Sequence, residues 1–285
     1  MGARQALAPG TDLRTTVAGV MAALAVRYPP ECAESWDRVG LVVGEPTAPV
    51  RRVLLAVDCV PDTVDEAVEA GADLMIVHHP LLLRGVSSVA TTTYQGAIVH
   101  QLIRSGIALL VAHTNADVAT PGVGDALARR LGLLDVGPLV PGSPAPHPGR
   151  RGRLPEPMPL SELTGYVADR LPATVAGVRG AGDPARVIAT MAVVGGAGDE
   201  FLGDATASGV DAYLTSDLRH HKASEHLAGG GPALLEAPHW ATERPWLDPL
   251  ADEVRADLAV DAVVSDLVTD VWTAHATIAP PKESP

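Results

Sequence analysis

Two adjacent histidines close a short apolar run in Asp73-Leu74-Met75-Ile76-Val77-His78-His79-Pro80. Imidazole is the commonest protein metal ligand and the usual acid–base side chain near neutral pH. Two further segments carry related groups, His113-Thr114-Asn115-Ala116-Asp117 and His239-Trp240-Ala241-Thr242-Glu243. Nitrogen and carboxylate oxygen without thiolate suit zinc, iron, manganese or nickel, and disfavour a cysteine-based structural zinc site. Neighbouring side chains at a strand end diverge, so His78 and His79 are poorly placed to share one small ion. Each can instead hold one of two ions with a carboxylate bridging them; such ions lie ~3.5–4 Å apart and activate water. Taken alone, the pair also admits a single ion or a proton relay.

Three other features compete for attention. A second pair, His220-His221, sits between Arg219 and Lys222, and flanking cations disfavour a bound cation. It reads as a pocket lining that faces an anionic substrate. Gly195-Gly196-Ala197-Gly198 follows a strand, but the GxGxxG pattern breaks at Phe201 and no Gly-Lys-Ser/Thr follows. It reads as a tight turn that brings backbone close to the site. No GxSxG occurs, and neither Cys32 nor Cys59 has a histidine beside it, so nucleophilic serine or cysteine chemistry has no support.

The elements that must position these groups follow from periodicity. Val17–Val26 reads as an amphipathic helix capped near Thr11 and Asp12. Strands are expected at Val53–Val57, Leu74–Val77 and Ile107–Ala112, with helices from Pro61 to Gly71 and from Tyr94 to Arg104 between them. Such alternation implies a largely parallel sheet, whose functional groups collect beyond the strands' carboxyl ends. His78/His79 and His113/Asp117 both fall there, on strands joined by one crossover. Pro138–Pro159 reads as a long loop or boundary, with Arg150, Arg151 and Arg153 a solvated loop or subunit contact. Beyond it come a helix at Leu160–Leu171 and strands at Val187–Val194, Ala212–Leu214 and Ala233–Leu235. A last helix starts at Thr242 or at Asp248-Pro249, before a closing strand at Val260–Val264. No repeat of solenoid period is visible.

The chain has 285 residues, 47% hydrophobic and 19% charged, with net charge −13. That is the composition of a globular protein, and its field repels nucleic acid and anionic lipid. Two unpaired cysteines and no apolar run long enough to cross a membrane point to a cytoplasmic protein.

The ordered set Trp36-Asp37-x-x-Gly40-Leu41, Val77-His78-His79-Pro80, His113 to Asp117, Val193-Val194-Gly195-Gly196, Tyr213 to Asp217 and His239 to Glu243 resembles the GTP cyclohydrolase I type 2 family, also called the NIF-three-like dinuclear-metal proteins. The likeness spans roughly residues 13 to 275. It implies an α/β fold of two subdomains, near 1–130 plus 245–285 and 131–244, within a single NIF-three-like domain, with a metal pair in the cleft between them. It also implies a toroidal homohexamer acting on a small molecule such as a nucleotide. Two divalent ions would be held by His78, His79, Asp117, His239 and Glu243, with Glu243 bridging. His113 would stand behind the ligands, and it or Glu243 would shuttle protons. The likeness is to the short form of the family, without an inserted middle domain. Arg38 stands where the family usually has Asn, which bears on substrate preference rather than metal binding. Delivery of metal without turnover would use the same residues; a ring-shaped interaction scaffold encircling nucleic acid is a third reading, against which the net charge of −13 weighs unless the ring interior is locally basic.

Overall fold

Apolar runs too short for helices become the parallel strands of two sheets. The computed structural model describes residues 15–143 and 145–276. The first sheet is built by β1 (Gly40–Val43), β2 (Arg52–Ala56), β3 (Leu74–Val77), β4 (Ala108–Val111) and β11 (Asp261–Val264). The second contains β5 (Leu134–Pro138), β6 (Arg150–Pro159), β7 (Arg179–Ala181), β8 (Val187–Ala197), β9 (Ala212–Ser216) and β10 (Ala233–Glu236). Around them run α1 (Val17–Arg27), α2 (Pro61–Glu69), α3 (Tyr94–Ser105), α4 (Thr114–Asp117), α5 (Val123–Arg130), α6 (Leu160–Ala168), α7 (Leu202–Ser208), α8 (His220–Ala228), α9 (His239–Glu243) and α10 (Leu247–Leu258).

Strand order is β1-β4-β3-β2-β11 in one sheet and β5-β6-β8-β9-β10-β7 in the other. The trios β2-β3-β4 and β8-β9-β10 are each parallel, and each third strand carries an antiparallel neighbour, β1 or β7. After its third strand each half places a histidine and, four residues on, a carboxylate: His113 with Asp117, and His239 with Glu243. Every residue of β3 and β4 is buried, as a sheet covered on both faces requires. Leu55, Ile76 and Leu110 share one apolar cluster with Val193, Leu214, Leu235 and Trp246, so the two sheets have a common core. Leu54, Met75 and Leu109 face the other way, against Val64 of α2 and Ile98 and Leu102 of α3.

The strand and helix expectations of the first half fall within a residue or two of these bounds. Thr11 and Asp12, the expected cap of α1, lie outside the described residues; Thr16 is the N-cap, its hydroxyl accepting from Gly19 N at 3.2 Å. Two expectations fail in the second half. Residues 150–159 are the ten-residue strand β6, paired with β5 and β8 on either side. Prolines at 155, 157 and 159 disguise it, and the register shift between Arg153 and Met158 is how the ladder accommodates them. Arg150 is no solvated loop residue. It is 3% exposed, pairs with Asp125 at 2.8 Å, and donates to the carbonyls of Ala119, His147 and Gly149. The last long helix starts within a residue of the second expected place: α9 spans His239–Glu243, a 3₁₀ turn follows at Arg244–Trp246, and α10 begins at Leu247, next to Asp248-Pro249.

Candidate metal centre

The sheets' carboxyl ends bring six side chains to one place. His78 and His79 leave the end of β3, His113 caps α4 beyond β4 and Asp117 ends it, and α9 puts His239 and Glu243 on one face by i, i+4 spacing. Glu243 lies at the centre. Its Oε1 stands 3.0 Å from His239 Nε2 and 3.4 Å from His78 Nε2, and its Oε2 stands 3.1 Å from His79 Nε2. Asp117 Oδ1 is 3.4 Å from His78 Nε2. Two overlapping groups are close enough to hold an ion, His78-His79-His113 and His79-His239-Glu243. His78 and Glu243 form the buried floor at 0% and 4% side-chain exposure, whereas His79 and His239 open toward solvent at 26% and 33%.

Each of the four imidazoles is held by its other nitrogen. Nδ1 of His78 donates to the Ala112 carbonyl at 2.9 Å, that of His79 to Asp58 at 2.7 Å, that of His113 to Asp37 at 2.8 Å and that of His239 to Asp217 at 2.7 Å. A proton fixed on Nδ1 leaves the Nε2 lone pair bare, which is how metal-ligating histidines are commonly oriented. Asp37 is itself pinned by Thr114 N at 3.1 Å and the Thr114 hydroxyl at 2.5 Å. His113 is thus anchored like the other three, and its ring joins their cluster.

Two buried atoms, His78 Nε2 and Glu243 Oε2, have no hydrogen-bond partner among the described residues. They stand close to complementary atoms, but misaligned with them. An unpaired buried group costs about 1–3 kcal/mol, and a cation at the meeting point of these lone pairs would satisfy both. The donor set therefore fits a divalent metal. The carboxylates set a negative potential at these rings. Burial alone would lower the His79 and His239 pKa values, but Glu243, with Asp58 and Asp217, carries them up to about 9 and about 10. Burial would raise Glu243, yet the imidazoles of His79, His78 and His239 hold it well below the usual carboxylate range. His113 moves down instead, through burial and the charge of His78.

Backbone approach matters too. Gly196 N donates to the Thr242 hydroxyl at 2.9 Å, and that hydroxyl donates to the His239 carbonyl at 2.7 Å, tying the glycine-rich turn to α9. The second pair lies elsewhere: His221 is exposed, and His220 lines a separate cavity of about 480 Å³ with Arg179 and Glu236. Burial pushes the Cys59 thiol up to about 12, which leaves it inert. Asp37 and Asp217 fall within the quoted motifs and Asp58 directly follows the expected strand Val53–Val57, but nothing in the sequence assigns any of them the anchoring of a histidine.

A two-sheet α/β fold with a histidine–carboxylate cluster fed from both sheets defines a candidate metal-binding protein. The family model described as Duf34/NIF3 (NGG1p interacting factor 3) matches residues 15–271, and the chain belongs to that family. A Streptomyces coelicolor relative named GTP cyclohydrolase 1 type 2 homolog is 54% identical, over 92% of this chain and 95% of its own. A Mycobacterium bovis relative of the same name is 33% identical over 366 aligned positions, covering 90% of this chain and 96% of its own. That alignment is longer than the 285 residues here, so the mycobacterial protein carries additional chain. Among solved structures, a Staphylococcus aureus hypothetical protein superposes with TM-score 0.83 at 26% identity, over 92% of this chain and all of its own.

Proposed function

We propose that the cluster holds two divalent metal ions and that the protein is a metal-dependent hydrolase of the kind its relatives' name indicates. The observation that carries this is the pair of unpartnered buried atoms, His78 Nε2 and Glu243 Oε2, at the convergence of four Nδ1-anchored imidazoles. His78 and Asp117 would serve one ion, His79 and His239 the other, with Glu243 between them. Zinc, iron, manganese and nickel all accept such donors. When bound, such ions lower the pKa of water toward neutrality and polarise the substrate. The chain's own part is to fix the rings through Asp58, Asp37, Asp217 and the Ala112 carbonyl. His78 and Glu243 are kept at the dry end.

We add His113 to the expected ligands, because Asp37 anchors it as Asp58 anchors His79. A ring nitrogen given to an ion cannot also carry a proton, so His113→Gln separates the two roles. Lost metal makes it a ligand; retained metal with lost turnover makes it a proton shuttle.

Elemental analysis of protein purified without added metal, beside Glu243→Ala, tests the centre. About two ions per chain, collapsing in the variant, is the expected result. One ion, or a stoichiometry indifferent to Glu243, would sink it. Turnover against a panel of nucleotides and phosphoesters, absent in His79→Ala, tests the chemistry. Metal delivery draws support from the openness of His79 and His239. Rapid loss of ions to a chelator with no turnover would favour it. We further propose a cytoplasmic homohexamer, about 176 kDa for six chains of 29.4 kDa, which light scattering would weigh. No helix among the described residues is long and apolar enough to cross a membrane.

A further inference from the structure

Trp240 lines two cavities. One opens onto His79 and His239; the other, of about 630 Å³, is formed by α5, α9, α10 and the segments beside them. Its volume falls in the ~300–1,000 Å³ range of small-ligand pockets. Three guanidiniums border it, those of Arg129, Arg130 and Arg244, with two carboxylates, Asp248 and Asp266. Both carboxylates are taken: Arg244 Nη1 is 3.0 Å from Asp248 and its Nη2 is 3.0 Å from Asp266, while its Nε donates to the Ser265 carbonyl at 3.1 Å. The Arg244 side chain is 11% exposed and that of Asp266 93%, so this trio is a fixed wall with a carboxylate turned to solvent. Arg129 and Arg130 differ. The chain has 34 acidic residues to 21 lysines and arginines, yet neither has an ion pair among the described residues. There the Arg129 side chain makes no hydrogen bond, and Arg130 spends only its Nε, on the Arg170 carbonyl. Cations are favoured in the last turn of a helix, where both stand; that accounts for their charge and not for their lack of partners.

Two unspent guanidinium forks outweigh the single net negative charge of the Arg244 trio. The cavity is thus a positive locus on a chain of net charge −13. The rest of its lining is apolar, chiefly Pro172, Pro245, Pro249, Val268 and Trp240. We propose that it is an anion site, separate from the metal cluster, for a small organic phosphate monoester. At pH 7 such a group carries a charge of about −1.5 to −2 and three acceptor oxygens. Guanidinium forks meet phosphate through paired N–H···O bonds. A carboxylate has one planar pair of oxygens and satisfies one fork, whereas three phosphate oxygens serve both. The prolines and Trp240 receive the organic body.

Calorimetry on the full chain with phenylphosphonate, a phosphate monoester analogue that cannot be hydrolysed, and with inorganic phosphate is the test. It is run on protein as purified and again after chelator has removed its metal, with thermal melting to confirm folding. The stripped chain should still bind phenylphosphonate, roughly tenfold tighter than inorganic phosphate because the aryl group is buried. The double variant Arg129→Gln/Arg130→Gln should weaken phenylphosphonate by at least about tenfold without lowering the melting temperature. Arg129→Gln alone should show part of that loss. Binding that vanishes with the metal places the anion at the cluster and overturns the proposal, as does a double variant that binds like the parent. Equal affinity for the two probes overturns the organic class of the ligand.

Discussion

Gly196 lies at φ +68°, and a Cβ built there would stand 2.4 Å from Glu243 Oε1 and 3.0 Å from His239 Nε2. Both atoms belong to the cluster and neither can retreat without leaving it. Gly196→Ala is therefore expected to fold with strain but to lose metal, read as a fall in ions per chain by elemental analysis. Unchanged metal content would show that the carboxylate has room to shift. Asp58 acts one bond further out, through His79 Nδ1. Losing such an anchor commonly costs roughly 10–100-fold in metal affinity. Asp58→Ala should weaken binding by about that factor in a competitive chelator titration, with far-UV circular dichroism unchanged. The six clustered side chains were legible in the sequence because they close short apolar runs or stand four residues apart. Their anchors were not: Asp58 is 21 residues from His79 and Asp37 is 76 from His113, and only the folded sheets bring them together.

At the scale of elements, each half ties its strands with an aspartate just before the middle one. Asp73 Oδ2 accepts from the backbone N–H of Arg51 and Arg52, and Asp211 Oδ2 accepts from those of Ala189 and Thr190 and from the Thr190 hydroxyl. Burial alone would raise the Asp211 carboxyl, but the Thr190 hydroxyl and the two N–H groups outweigh it and hold it below the ordinary value of 3.8. A depressed folded pKa contributes stability that is present above the unfolded value and lost as pH falls through the folded one. Asp211→Ala should thus cost about 2 kcal/mol at pH 7. Its gap to the parent should begin to narrow as pH falls below about 4. Urea melts at pH 7 and pH 3 measure this, and a gap equally wide at both would refute the charged clasp. The periodicity of β2, β3 and β4 declared itself because those strands are nearly all apolar. β6 stayed hidden because Arg150, Arg151, Arg153 and three prolines read as surface, although its neighbours β5 and β8 supply the ladder and Asp125 receives Arg150.

For the molecule as a whole, the cluster is also a joint. His78, His79 and Asp117 follow strands of the first sheet, while His239 and Glu243 follow β10 of the second. An ion held by both sets binds the folded chain and not the unfolded one, so it stabilises by RT ln(1 + [L]/Kd), about 2.7 kcal/mol at a hundredfold excess over Kd. In a domain of this size each kcal/mol raises the midpoint by roughly 2–4 °C. Saturating metal should then raise the melting temperature by about 5–10 °C for one ion, and chelator should reverse it. Removing Glu243, among the described residues the one carboxylate that reaches histidines of both sheets, should abolish most of that shift. A variant such as Val187→Thr, at a residue 61% exposed on the second sheet, should keep it. If Glu243→Ala retains the full metal-dependent shift, the ions do not join the halves, and the two sheets owe their union to the apolar core around Trp246 alone.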